Sequence, residues 1–211
     1  AVLRPIKLTL TNYPEGQTEL LEVPNNLENP DLGFRLVPFG RELYIEREDF
    51  LENPPKKYFR LFPGNEVRLM SAYFVTCTGC EKDENGRVTV IHATYDPATK
   101  SGSGFNERKV KGTIHWVSAA AARKAECRLY ENIVDEEKGK LNEDGSLNLN
   151  PNSLIVVKDC YVEPALAEAK AYDSFQFMRN GFFCADCRDS VPGAPVFNRI
   201  VSLKSSFKLP K

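Results

Sequence analysis

The sequence predicts an all-β protein with a few short helices, a barrel or sandwich rather than a sheet wound with helices. Three observations predict it. Short runs alternate apolar and polar residues, polar turns separate them at close intervals, and the helical signals are brief.

The strand signals fall in order along the chain at residues 6–10 (IKLTL), 43–45 (LYI), 67–70 (VRLM) leading into 72–75 (AYFV), and 88–91 (VTVI). They continue at 113–117 (TIHWV), 154–157 (LIVV), 175–178 (FQFM) and 197–201 (FNRIV). Asn85-Gly86 between two of these runs supplies the positive φ angles of a tight turn, so residues 72–91 are expected to form two antiparallel neighbours. Brief helices are expected over 46–52, over the alanine-rich 118–126, and over 164–171. Residues 67–80 (VRLMSAYFVTCTGC) and 175–187 (FQFMRNGFFCADC) share an alternating strand, a small residue, an aromatic pair and a Cys-x-x-Cys. Such a repeat implies two similar barrels, with a boundary in the Gly/Ser/Lys-rich stretch 100–112 and a second long, acidic loop over 135–152.

The balance of 42% hydrophobic and 27% charged residues is that of a folded globular chain. No apolar run approaches the roughly 18 residues that span a bilayer, and AVLRPIKLTL lacks the series of a secretory signal, so the expectation is a cytoplasmic chain with no membrane partner. A strand-like start at Ala1 without Met fits a piece cut from a longer polypeptide as well as it fits a processed protein. The net charge of −1 excludes binding to nucleic acid through a uniformly positive surface. Local basic patches remain: Lys56, Lys57, Arg60 and Arg68; Arg108, Lys109 and Lys111; and Lys204, Lys208 and Lys211 in the tail. Each also fits an ordinary solvated face.

Catalytic apparatus is sparse. Both histidines, His92 and His115, lie inside strand-like runs, and His115, next to the only Trp, reads as a packing residue. The sequence contains no Gly-x-Ser-x-Gly elbow, no His-Glu-x-x-His and no phosphate-cradling Gly-x-x-x-x-Gly-Lys-Ser/Thr loop. Six cysteines are too few for a disulfide scaffold of this length. Cys77, Cys80, Cys184 and Cys187 form two Cys-x-x-Cys pairs with the ligand count of a structural zinc site, but their wide separation favours free thiols and an expectation of no metal.

Whole segments resemble one family in its own order: AVLRPIKLTLTNY, GNEVRLMSAYFV, RKVKGTIHWVSAA, AECRLYENI, SFQFMRNGFFCADCRDS and PVFNRIVSLK. The chain is similar to the C-terminal anticodon-binding region of bacterial-type glutaminyl-tRNA synthetases. The resemblance implies two six-stranded barrels like that of the ribosomal protein that grips 5S rRNA. It divides the chain into 1–112 with a return of 195–211, and 113–194. It also implies a monomeric class I ligase whose N-terminal catalytic domain, in the same polypeptide, uses ATP with magnesium. This chain then carries no catalytic site and no cofactor, and its partner is the anticodon loop of a glutamine tRNA. By the same resemblance Gln176 and Arg179 read the middle uridine, Arg60 the third-position guanosine and Arg68 the first base. Two departures stand out: Met70 replaces a second arginine at the first base, and Phe59-Arg60 replaces Lys-Arg. A further arginine of the family lies upstream of Ala1. Competing readings are an archaeal or eukaryotic glutamyl-tRNA synthetase, a non-catalytic rRNA-binding barrel, and a zinc-stabilised interaction module.

Overall fold

Alternation along the chain becomes alternation between inside and outside. In β1 (Pro5–Leu10) Ile6, Leu8 and Leu10 are buried while Lys7 and Thr9 are partly exposed. The computed structural model describes residues 1–135 and 139–203. The expected basic tail from Lys204 onward, part of the expected acidic loop and the end of the expected return segment lie outside the described residues.

The chain divides into two units, the first comprising Ala1–Ala122 and Tyr161–Pro164, the second Arg123–Cys160 and the residues from Ala165 onward. After β1, the first unit contains β2 (Thr18–Pro24), β3 (Phe34–Gly40), β4 (Glu42–Glu46), β5 (Glu66–Leu69) and β6 (Phe74–Lys82). β7 (Val88–Asp96), β8 (Thr113–Ile114) and β9 (Trp116–Ser118) complete it. Seven of these form one sheet in the order β8-β5-β6-β7-β1-β4-β9. Its two edges, β8 and β9, are separated in sequence by His115 alone, so one short stretch pairs with β5 through Leu69↔Ile114 and with β4 through Ile45↔Trp116. That shared stretch brings the sheet round to a nearly closed barrel and removes its exposed edges. Leu8, Phe39, Leu43, Leu69, Ile91 and Ile114 are among its fully buried side chains.

The ribbon of β2 and β3 is tied to this barrel by a half-buried polar knot. Glu19 accepts the Tyr73 hydroxyl at 2.8 and 3.0 Å, the Tyr13 hydroxyl at 3.3 Å and the Lys100 ammonium at 2.7 Å. Burial, with the Glu19 charge second, pushes the Tyr13 phenol up to about 12. On the same ribbon Arg35 grips Glu163 with a two-pronged contact of 2.6 and 2.8 Å. Burial alone would push the Glu163 carboxyl up; the Arg35 guanidinium and the positive charge at the Ala1 amino group together outweigh it and hold the group below its ordinary value. Tyr161 joins the same unit through paired backbone bonds with Val2 and a stack on Tyr44, ring centroids 4.2 Å apart.

The second unit contains β10 (Arg123–Tyr130), β11 (Leu154–Val162, whose last two residues belong to the first unit), β12 (Ser174–Phe177), β13 (Gly181–Ala185) and β14 (Val196–Ser202). They form a sheet in the order β11-β10-β14-β13-β12 around stacked Phe177 and Phe183, whose centroids are 4.3 Å apart, and an edge-on Phe197. The turn after β13 is organised by Asp186, which accepts the backbone N–H groups of Arg188 and Asp189 and the Asn198 amide.

The β-rich expectation holds, with several differences in detail. The described residues make a seven-stranded sheet, a five-stranded sheet and a two-stranded ribbon rather than two six-stranded barrels. Residues 113–122 stay in the first unit because β8 and β9 close its barrel. β14, expected to return to the first barrel, pairs with β10 and β13, and the segment that joins the first unit is Tyr161–Pro164. The helix expected over 118–126 is a turn leading into β10, because Ala125, Cys127 and Leu129 bury with period two and sheet pairing overrides alanine's helix preference. The other two helical signals give single short 3-10 segments, Arg47–Asp49 and Pro164–Glu168. No helix among the described residues is long and apolar enough to cross a membrane.

Candidate nucleic-acid interface

The repeat seen in the sequence is a repeated hairpin. In the first copy, β5–β6, the Leu69 carbonyl accepts the Ala72 N–H at 2.9 Å and Ser71 has φ 56°. In the second, β12–β13, the Phe177 carbonyl accepts the Asn180 N–H at 2.9 Å and Arg179 has φ 69°. A positive φ at the third residue of such a turn favours glycine. Both hairpins put a side-chain-bearing residue there instead, and such conformations concentrate at functional sites. Arg68, Met70, Ser71 and Phe74 map onto Gln176, Met178, Arg179 and Phe182 without a gap. That mapping leaves the two Cys-x-x-Cys pairs one position out of step, so they are not equivalent in the repeat.

Directly across each hairpin from the polar residue stands a phenylalanine, as the registers Arg68↔Phe74 and Gln176↔Phe182 show. In the first copy the Arg68 guanidinium covers the Phe74 ring, 4.2 Å from its centroid, and donates to Ser101 Oγ at 2.9 Å and, less closely, to the Thr99 carbonyl. These partners are neutral oxygens, and burial alone lowers the Arg68 pKa from its ordinary value without discharging it. Arg68 is therefore a partly desolvated cation whose charge is not offset among the described residues.

Its neighbours differ. Arg108, over the rings of Phe74 and Phe105, is neutralised by Glu66 and Asp96 at 2.7 and 2.6 Å. Arg60 donates to the Glu48 carbonyl at 3.1 Å and lies 3.4 Å from a carboxylate oxygen of Asp49, which is buried. Arg60 is thus bound to a structural duty that the sequence did not reveal. Gly112 joins these parts: its carbonyl accepts the Arg68 N–H at 2.9 Å, and a Cβ placed on it would sit 1.8 Å from the Phe59 carbonyl oxygen. Phe59 itself is exposed, with the Lys111 ammonium 5.3 Å from its ring centroid. Arg60 and Arg68 therefore flank one glycine in the first unit, while Gln176, exposed on β12, and Arg179 belong to the second.

Met70 is half-buried, and its carbonyl is committed to the Trp116 indole N–H at 2.9 Å. His115 is buried in the stretch that closes the barrel. Cys77 is buried, which pushes its thiol up, and Cys80 and Cys184 are half-buried, whereas Cys187 is exposed. Among the described residues no three His, Cys, Asp or Glu side chains are grouped to hold a metal.

Two family models with the same description, class I tRNA synthetase (E and Q) anticodon-binding domain, match residues 1–96 and 113–186. The chain belongs to that family. Among similar proteins, a glutamine--tRNA ligase of Clostridium perfringens is 57% identical over 99% of this chain. One of Clostridioides difficile is 57% identical over 98%, and one of Bradyrhizobium diazoefficiens 50% identical over 98%. This anticodon-binding chain spans 38%, 38% and 37% of the length of these relatives respectively. The aromatic partners Phe74 and Phe182 were not picked out from the sequence, because opposition across a hairpin depends on a turn register that spacing alone leaves open.

Proposed function

We propose that this chain reads the anticodon loop of a glutamine tRNA for a glutamine--tRNA ligase. Supporting the reading, beside the family match, is one observation: Arg68 and Gln176 occupy the same place in two copies of one hairpin, each opposite a phenylalanine. Unstacked loop bases offer hydrogen-bonding edges and π faces, and this pairing presents a partner for each. Gln176 and Arg179 read the middle uridine, the amide matching a uracil edge and the guanidinium spanning base and phosphate. Arg68 engages the first base, and Arg60 the third-position guanosine while retaining Asp49. With Met70 where a second arginine would stand, the first base is read less strictly, so C and modified U are both accepted. Glutamine, ATP and magnesium are handled by an N-terminal catalytic domain of the same polypeptide, acting as a cytoplasmic monomer.

The test is binding of labelled stem-loop RNAs that differ only in the anticodon, followed by fluorescence anisotropy over a salt series. The glutamine anticodon should bind more tightly than a middle-base variant by about 1–3 kcal/mol, with affinity falling steeply as salt rises. Equal binding of all middle-base variants refutes the reading, and preference for a glutamate anticodon reassigns it to the glutamyl branch of the family.

A further inference from the structure

Across the second hairpin, Phe182 stands directly opposite Gln176 and is 44% exposed. The ring thus stands beside the exposed Gln176 amide on one sheet face, and three features place it there. Gly181 precedes it with φ 141°, a conformation that lets β14 approach so closely that a Cβ would lie 2.3 Å from the Val201 carbonyl oxygen. A bulge between Phe182 and Phe183 shifts the pairing with β14 at that point, as bulges do where a side chain is re-aimed. Phe183 then turns inward, fully buried, onto the Phe177 ring. In the first hairpin the equivalent ring, Phe74, is 2% exposed and covered by a planar cation. In the second, the arginine is replaced by Gln176, whose neutral amide is shorter and carries no charge to hold it over the ring.

We propose that Phe182 is a stacking platform for a nucleobase of single-stranded RNA, the same base whose edge Gln176 reads. Directly opposed residues on one sheet face have Cβ atoms about 5 Å apart, close enough for ring and amide to meet one base. The proposal rests on the anticodon-reading function above and adds to it a residue that gives affinity through the base's face rather than its edge. Stacking is tolerant of base identity because every base has a π face. Phe182 is therefore expected to set how tightly the flipped base is held, and Gln176 which base it is.

The test measures binding by the full chain of a stem-loop RNA carrying the anticodon CUG, with wild type, F182A, F182L, F182W and Q176A, each checked for fold by circular dichroism. F182A and F182L should weaken binding by about tenfold, and F182W should restore it. An RNA with an abasic site in place of the middle base should bind wild type and F182A equally, and a 5-iodouridine at that position should photocrosslink to Phe182. If F182A and F182L bind as wild type while Q176A loses discrimination, the stacking role is overturned and the anticodon reading stands. A loss that persists with the abasic RNA also overturns it. If wild type itself shows no preference for the glutamine anticodon, both ideas fall together.

Discussion

The Arg68 guanidinium lies over the ring of Phe74, its cross-strand partner, 4.2 Å from the centroid, and its hydrogen bonds go to neutral oxygens. Stacking and donation use the plane and the edge of one group at once, a combination that a lysine ammonium cannot reproduce. R68K should therefore keep the charge and lose the geometry, weakening RNA binding by about 1 kcal/mol, with R68A nearer 2–3 kcal/mol. R108A, which removes a cation already neutralised by Glu66 and Asp96, should change RNA affinity much less. Titrations with the three variants check the order; an R108A loss as large as that of R68A contradicts it.

Gly112 is a packing requirement of the same region. A methyl group there meets the Phe59 carbonyl oxygen at 1.8 Å and the Val67 side chain at 3.2 Å, so backbone must move. G112A should destabilise the first unit by about 3 kcal/mol, the upper end for overpacking, and should weaken RNA binding by displacing Phe59-Arg60 from Arg68. Urea unfolding measures the first effect and anisotropy the second. Wild-type stability in G112A would show that the close approach is not rigid.

Much of this fold is written locally, and the site much less so. Residues 6–10 and 67–70 alternate cleanly and become β1 and β5, and the turn at Asn85-Gly86 has Gly86 at φ 76° with the Asp83 N–H donating to the Arg87 carbonyl at 2.9 Å. β2 and β3 escape that reading because Leu20 and Leu36 are exposed on the ribbon's outer face while Leu21 and Val37 are buried, so apolar residues occupy both sides. β10 is hidden by the alanine run before it. The three arginines and one glutamine of the candidate interface, Arg60, Arg68, Arg179 and Gln176, follow from resemblance, but what each is tied to depends on long-range pairing. Arg60 beside buried Asp49 and Arg68 on Phe74 cannot be told apart by sequence, since both look like charges on strand faces.

Asp186 supplies a pH signature. The Asp189 N–H, the Asn198 amide and the Arg188 N–H hold its carboxyl down to about 2, with burial opposing. The unfolded group titrates near 3.9. A depressed folded pKa means that Asp186 contributes stability above about pH 4, which is lost as pH falls toward 2. In urea midpoints measured from pH 5 to pH 2, D186N should be less stable than wild type at the top of that range and nearly as stable at the bottom. Parallel curves for the two proteins would show that other carboxylates carry the acid sensitivity.

The two hairpin turns separate stability from reading. Ser71 and Arg179 hold φ at 56° and 69°, where a side-chain-bearing residue costs roughly 1 kcal/mol relative to glycine. Glycine's larger entropy loss on folding offsets part of that relief, so S71G should gain at most about 1 kcal/mol in unfolding free energy. S71G should leave middle-base discrimination intact, because that reading belongs to Gln176 and Arg179 in the second hairpin. R179G makes the same backbone change and also removes a guanidinium, so it should bind the glutamine-anticodon RNA more weakly and discriminate the middle base less, without unfolding. Thermal midpoints and anisotropy on both variants decide it. If R179G binds and discriminates as wild type does, the strained turn serves the fold alone and Arg179 is not a reader.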